Sequence, residues 1–175
     1  GKQYNDIILK LPNEIQSLTI INDVFNHSLD ILPEHLTLLY LSSGNFNQPI
    51  NNLPHNLKSL TIQSDAFNQK LNKLPKNLYS LVIKCSPFSE SLDELPHNLH
   101  SFELSSRNYK YTLDYLPHKL NSLILYNLPH IYSLNNLPQT LHKLHIGMPY
   151  FNNSLSQLPL NLYSLHISHN ESFNV

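Results

Sequence analysis

The stretch FNQPINNLPHNLKSLTI, Phe46–Ile62, holds a Phe-Asn pair, a Leu-Pro pair, and apolar residues spaced first by three and then by two. The same arrangement recurs along the chain. Leu-Pro pairs stand at 11-12, 32-33, 53-54, 74-75, 95-96, 116-117, 137-138 and 158-159, a constant step of 21 residues. A fixed period of this length is the signature of a stacked repeat rather than of a domain with a closed core. Counting from the Leu of each pair as offset 0, apolar residues recur at offset 4 (Ile15, Leu36, Leu57 and onward) and at offsets 7 and 9 (Leu18 and Ile20, Leu39 and Leu41, Leu60 and Ile62 and onward). Offset 14 carries Phe25, Phe46, Phe67, Phe88, Tyr109 and Phe151, and offset 18 carries Leu29, Ile50, Leu71, Leu92, Leu113, Leu134 and Leu155.

Two residues at spacing two point to the same face of a strand, and a Pro in every unit prevents a long helix. Each unit therefore predicts one short parallel strand. Successive strands would stack about 4.7–4.9 Å apart, with the apolar offsets forming ladders through a shared interior. The Pro at offset 1 acts as a corner-former, because it fixes φ and donates no hydrogen bond. Offset 19 holds Asp30, Asn51, Asn72, Asp93, Asp114, Asn135 or Ser156, short acceptors that bind backbone amides two residues on. Asn26, Asn47, Asn68 and Asn152, each following the aromatic of offset 14, are expected to do the same at the opposite corner. Lys110 and Ile131 cannot, and His130 replaces the aromatic beside Pro129, so the fifth and sixth turns are expected to be distorted.

Composition narrows the function. A 41% hydrophobic content suffices for a continuous core, and a formal charge of −1 gives neither a nucleic-acid footprint nor an acidic tail. Cys85 is the single cysteine, which excludes an internal disulfide and a cysteine-clustered zinc site and favours an intracellular, reducing setting. No apolar run of about 18 residues and no basic-then-apolar leader is visible, so no membrane span or signal peptide is expected. P-loop, GxGxxG, GxSxG and HExxH motifs do not occur, and three glycines leave little material for a phosphate-cradling loop. The reading is non-enzymatic, with no cofactor.

Eleven histidines raise the question of metal. His142 with His145, and His166 with His169, form HxxH pairs, and His145 and His166 share offset 8 on neighbouring strands. A divalent cation could bridge such a pair. A solvated row is the plainer reading in a chain that also spends His55, His97 and His118 at offset 2, and no metal ligand is assigned.

The unit LPxxLxxLxI resembles the strand segment of leucine-rich repeats, and together with FNQPI it resembles the FNIP repeat of social amoebae and giant DNA viruses. Phe46, Asn47, Pro49 and Ile50 carry the signature most fully. Bacterial effector leucine-rich repeats share the Leu-Pro pair but lack the Phe-Asn pair, and rank second. The resemblance implies a right-handed, leucine-rich-repeat-like solenoid of eight 21-residue turns, with strands on a concave face and little helix. It also implies protein recognition, in concrete form substrate recruitment to a cullin-based ubiquitin ligase, since such repeats often follow an amino-terminal F-box. That segment is not recognisable before residue 11. Tyr4-Asn5 and Ile8 fall in the phase of a preceding turn and the sequence stops at Phe173-Asn174-Val175, so residues 1–175 are expected to be one solenoid domain cut from a longer chain.

The outward offsets 6, 8 and 10 locate the expected contact face. Offset 6 is nearly all Ser, whereas offsets 8 and 10 vary over a constant frame, as a recognition surface does. Unconstrained positions also drift without function. Tyr40, Val82, Glu103, Ile124, Tyr126, His145 and His166 are the predicted partner-binding residues. Tyr79 and Tyr163 at offset 5 are read as packing at the sheet edge. The expected partner is a protein, in the cytoplasm (of the host, if the chain is viral), with no nucleic acid and no membrane involved. The expected state is a monomer or weak end-to-end self-association, the latter belonging to an alternative role as a scaffold that stacks through its terminal turns.

Overall fold

The computed structural model describes residues 11–131, 133–149 and 151–168. Each unit forms one five-residue strand at offsets 6–10: β1 Ser17–Ile21, β2 Leu38–Ser42, β3 Ser59–Gln63, β4 Ser80–Lys84, β5 Ser101–Ser105, β6 Ser122–Tyr126, β7 Lys143–Gly147 and β8 Ser164–Ser168. They make one parallel sheet in chain order. The register advances by one repeat at every step, so Leu18 pairs with Leu39, Leu39 with Leu60 and Leu60 with Leu81. Among the described residues there is no helix. The expected solenoid is therefore the architecture.

Offsets 7 and 9 alternate inward, and in β2–β7 every residue there is buried. Leucines at offset 4 and apolar residues at offset 18 close the same interior, as Leu57 and Ile50 do at 0% and 1% exposure. Opposite the sheet runs an aromatic column. Phe25, Phe46, Phe67 and Phe88 stack with centroids 6.0, 5.8 and 6.2 Å apart, the last two pairs tilted by only 6° and 3°. Such pairs contribute about 0.5–1.5 kcal/mol each beyond the area they bury. Buried Tyr109 extends the column, its hydroxyl donating to Thr112 O at 3.1 Å. Burial pushes that phenol's pKa well above its ordinary value.

The Leu-Pro corners are β-turns. In all eight units the Pro carbonyl accepts the amide of offset 4, at 2.9–3.2 Å. The ring therefore closes the turn where no proline N–H is called for. A second set of bonds differs from the sequence expectation. Asn26 Oδ1 accepts the amide of Asn47, Asn47 Oδ1 that of Asn68, and Asn68 Oδ1 that of Ser89, at 2.9, 2.9 and 2.8 Å. These Asn side chains clamp one turn to the next rather than closing their own. The local turn two residues on belongs to serine at offset 17: Ser28, Ser91 and Ser133 accept the amides of Asp30, Asp93 and Asn135. Asp30 and Asp114 at offset 19 instead accept from Asn52 and Asn136 of the following turn. The physical reason is supply. A one-strand turn has few backbone partners within itself, so side-chain acceptors satisfy amides across the 21-residue step.

Buried serines at offset 11 form a third ladder, unforeseen in the sequence. Ser43, Ser64 and Ser106 donate to the carbonyls of Phe25, Phe46 and Phe88 in the preceding turn, at 2.7, 2.8 and 2.6 Å. Cys85 takes this position in β4's turn, where burial raises its thiol pKa to about 12 and leaves it inert. Among the described residues no buried side-chain nitrogen or oxygen lacks a partner.

The expected irregularity falls on the sixth turn. Asn127, directly after β6, has φ 55°, the left-handed conformation that Asn tolerates best among residues with a side chain. The neighbouring Leu128-Pro129 is a ninth Leu-Pro pair, out of phase with the rest. Leu128 and Ile131 turn inward at 1% and 8% exposure while His130 lies outside the core. The fifth turn, by contrast, keeps Tyr109 in the column, and Lys110 simply points out over the Tyr111 ring. Tyr4, Asn5, Ile8, Phe173 and Asn174, which set the expected phase of the ends, lie outside the described residues.

Replacing Phe67 by Ala opens the middle of the column and is expected to cost about 3–5 kcal/mol. Ser64→Ala, which strands the Phe46 carbonyl, is expected to cost about 1–3 kcal/mol. Urea unfolding followed by circular dichroism checks both; equal, negligible shifts would mean the column and its clamp are not what hold the turns.

Candidate functional site

The pleat that sends offsets 7 and 9 inward sends offsets 6, 8 and 10 out. The sheet's outer face therefore displays three parallel rows. Ser17, Ser59, Ser80, Ser101, Ser122 and Ser164 make up most of the offset-6 row and keep it low. Leu38, 40% exposed, and Lys143 interrupt it.

The predicted contact residues all lie on this face, in three groups rather than one site. On β2 and β3, Tyr40 Oη donates to Gln63 Oε1 at 2.8 Å. On β4 and β5, Lys84 Nζ stands 3.0 Å from Glu103 Oε1. Half-buried Val82 and Ile124 flank that pair on β4 and β6. On β6–β8, Tyr126 meets His145 edge-on, with ring centroids 4.8 Å apart and Oη to Nδ1 3.2 Å. His145 and His166 are paired across the strands with centroids at 4.2 Å. Tyr40 and Tyr126 are four strands apart, about 19 Å at the usual spacing, so they do not share a pocket.

Desolvation, and to a lesser extent His166, hold the His145 pKa below the ordinary imidazole value, with Glu103 opposing. His145 Nε2 lies 3.4 Å from Ser168 Oγ. That is long for a hydrogen bond, and the ring's other nitrogen faces a phenol, not a carboxylate. The pair therefore lacks the orienting acid of a nucleophilic dyad. Lys84–Glu103 is a partly exposed ion pair and contributes at most about 1 kcal/mol to stability. Its value is in fixing two side chains of opposite charge on the face.

Gln63, Lys84 and Ser168 were not among the predicted contacts, yet each bonds one that was. Their signal was present: offset 10 lies diagonally across from offset 8 of the adjacent strand. Tyr79, read as packing at the sheet edge, packs there on a neighbouring ring. It is 55% exposed and stacks on His100 at 4.3 Å and 15°. His142 takes part in the same edge row, accepting from Asn121 Nδ2 at 2.7 Å and facing Tyr163 at 5.6 Å. The His142/His145 pair is thus split between two rows. His169 lies outside the described residues. Among those described, no three His, Cys, Asp or Glu side chains converge as a metal cage. Among the described residues no helix is long and apolar enough to cross a membrane.

Fold and face together define a leucine-rich-repeat-like solenoid. Residues 25–65, a stretch that includes the Phe46-Asn47 and Leu53-Pro54 pairs, match the model of the FNIP Repeat. The crystal structure of CroV588, a novel circular LRR protein from a giant virus, is similar in fold, with a TM-score of 0.56 and 23% identity. The match covers 90% of this chain and 34% of that protein, so the chain spans about a third of its length. No curated protein sequence matches the chain.

Because the fold disfavours His145's protonated form, the unfolded chain binds that proton more readily. Folding stability should fall as pH drops through the ordinary imidazole value of 6.5 and be regained above it. His145→Gln should flatten this dependence. Thermal melts between pH 5 and 8 together with the His145 titration by NMR check the sign, which a midpoint above 6.5 would reverse.

Proposed function

We propose that the outer face of the sheet recognises a protein partner and that the chain is a non-enzymatic interaction module. The observation that supports this most is the division of labour within each strand. Offsets 7 and 9, with the serine and asparagine ladders, hold the turns together, while offsets 8 and 10 carry Tyr40, Val82, Glu103, Ile124, Tyr126, His145 and His166, which stand outside those interior columns and ladders. Half-buried Tyr, Ile and Val beside a fixed ion pair provide what interface centres use: rigid area with a few polar contacts to set register. The FNIP match makes substrate recruitment to a ubiquitin ligase the concrete version, with the F-box elsewhere in a longer protein. Buried, reduced Cys85 suits a cytoplasmic setting.

A scaffold that stacks through its terminal turns is the second reading. It follows from the repeat itself, in which each turn is completed by its neighbours. The two readings separate in a pull-down from host-cell lysate with the parent chain and the triple variant Tyr40→Asp, Ile124→Asp, Tyr126→Asp, whose fold is checked by circular dichroism. Recognition predicts a protein held by the parent and lost by the variant. Stacking predicts concentration-dependent oligomers in sedimentation for both chains, and no such difference in capture.

A further inference from the structure

The sheet register brings His145 and His166 into direct opposition on β7 and β8. Both side chains point away from the core, on neighbouring strands, with rings 4.2 Å apart. Metal–nitrogen bonds of about 2.0–2.1 Å require two imidazole donors on one cation to lie within roughly 4 Å of each other. The register sets the two side chains opposite one another with ring centroids 4.2 Å apart, close enough for side-chain rotation to bring one nitrogen of each onto a shared cation.

The surroundings set the donor atoms. A metal-bound imidazole characteristically donates its second ring N–H to an oxygen, which fixes tautomer and orientation. Tyr126 Oη lies 3.2 Å from His145 Nδ1 and can accept that N–H, leaving Nε2, on the Ser168 side, as the metal donor. Ser168 Oγ, 3.4 Å from Nε2, is held loosely enough to rotate aside or to join as a weak oxygen donor. The other close histidine pair, His97 and His118, is less well prepared. Its centroids are 6.0 Å apart and it sits on the Leu-Pro corners, off the sheet.

We propose that His145 and His166, steadied by Tyr126, form a two-imidazole site for a borderline divalent cation such as Zn²⁺, Cu²⁺ or Ni²⁺. Imidazole ligation favours these ions over Mg²⁺ and Ca²⁺, which take oxygen. Among the described residues no third His, Cys, Asp or Glu gathers with the pair, so two imidazoles are its whole ligand set there. The site is thus able to accept water or a donor from a molecule lying on the sheet, and it does not depend on the recognition reading.

The test is titration of the full 175-residue chain, free of any purification tag, with Zn²⁺ by calorimetry and with Cu²⁺ by electron paramagnetic resonance. The expected result is one tightest site per chain with nitrogen hyperfine structure from two imidazoles. His145→Ala and His166→Ala should each abolish it, and the double variant His97→Ala, His118→Ala should keep it. Tyr126→Phe should weaken it about 10- to 100-fold, the usual effect of losing an orienting partner. The alanine variants change outward-facing residues, and circular dichroism confirms that they fold. Binding unchanged in His145→Ala or His166→Ala, its loss in the His97/His118 variant alone, or no saturable site at all would overturn the proposal.

Discussion

Each turn of this solenoid has to be completed by its neighbours. A five-residue strand with a Pro corner and a short return cannot bury its own leucines or pair its own amides, and unpaired buried amides are costly. The 21-residue period answers both needs at once. It places like residues on top of one another, so apolar side chains in β2–β7 meet their equivalents in the adjacent turns, and the amides of Asn47, Asn68 and Ser89 meet the same kind of acceptor. The Asn26–Asn47–Asn68 clamp and the Ser43, Ser64 and Ser106 bonds to the aromatic corners are two forms of that single solution.

This arrangement explains where the sequence is rigid and where it is free. The column Phe25–Phe46–Phe67–Phe88 stacks nearly face to face because a translated turn leaves each ring no other neighbour of its own kind. Where the column lacks its aromatic, at His130, the chain makes up the volume with Leu128 and Ile131 and places Asn127 in the left-handed region. Interior columns tolerate such repairs only locally, since the following turn returns to register at Leu137-Pro138.

On the outer face the same stacking has no such demand. Residues 21 apart still become neighbours, and the diagonal across that step, 19 residues, brings Lys84 and Glu103, or Tyr126 and His145, from adjacent repeats within contact. Each of these contacts adds little beside the interior columns, so this face can differ from repeat to repeat at small cost to the fold. That freedom is the ground for proposing recognition here, and in β6–β8 the face has gathered aromatic and imidazole groups.

From its sequence alone the chain declared its period, its eight strands, the inward offsets and the outward face. These follow from spacing, and the constant 21-residue step translates spacing into position without knowledge of the rest. The irregular sixth turn was legible too, because a missing aromatic beside Pro129 is a local defect. What side chains do across the step was not. Whether Asn47 closes its own turn or clamps Asn68, and whether Ser64 faces water or the Phe46 carbonyl, depends on the orientation of one turn over the next. The outward groups are a like case: offset 8 named Tyr40, Glu103 and His145, but only the diagonal geometry of neighbouring strands joined them to Gln63, Lys84 and Tyr126. A linear sequence fixes which residues share a row; the tertiary stack decides which of them touch, because contact depends on distances that no spacing along the chain encodes.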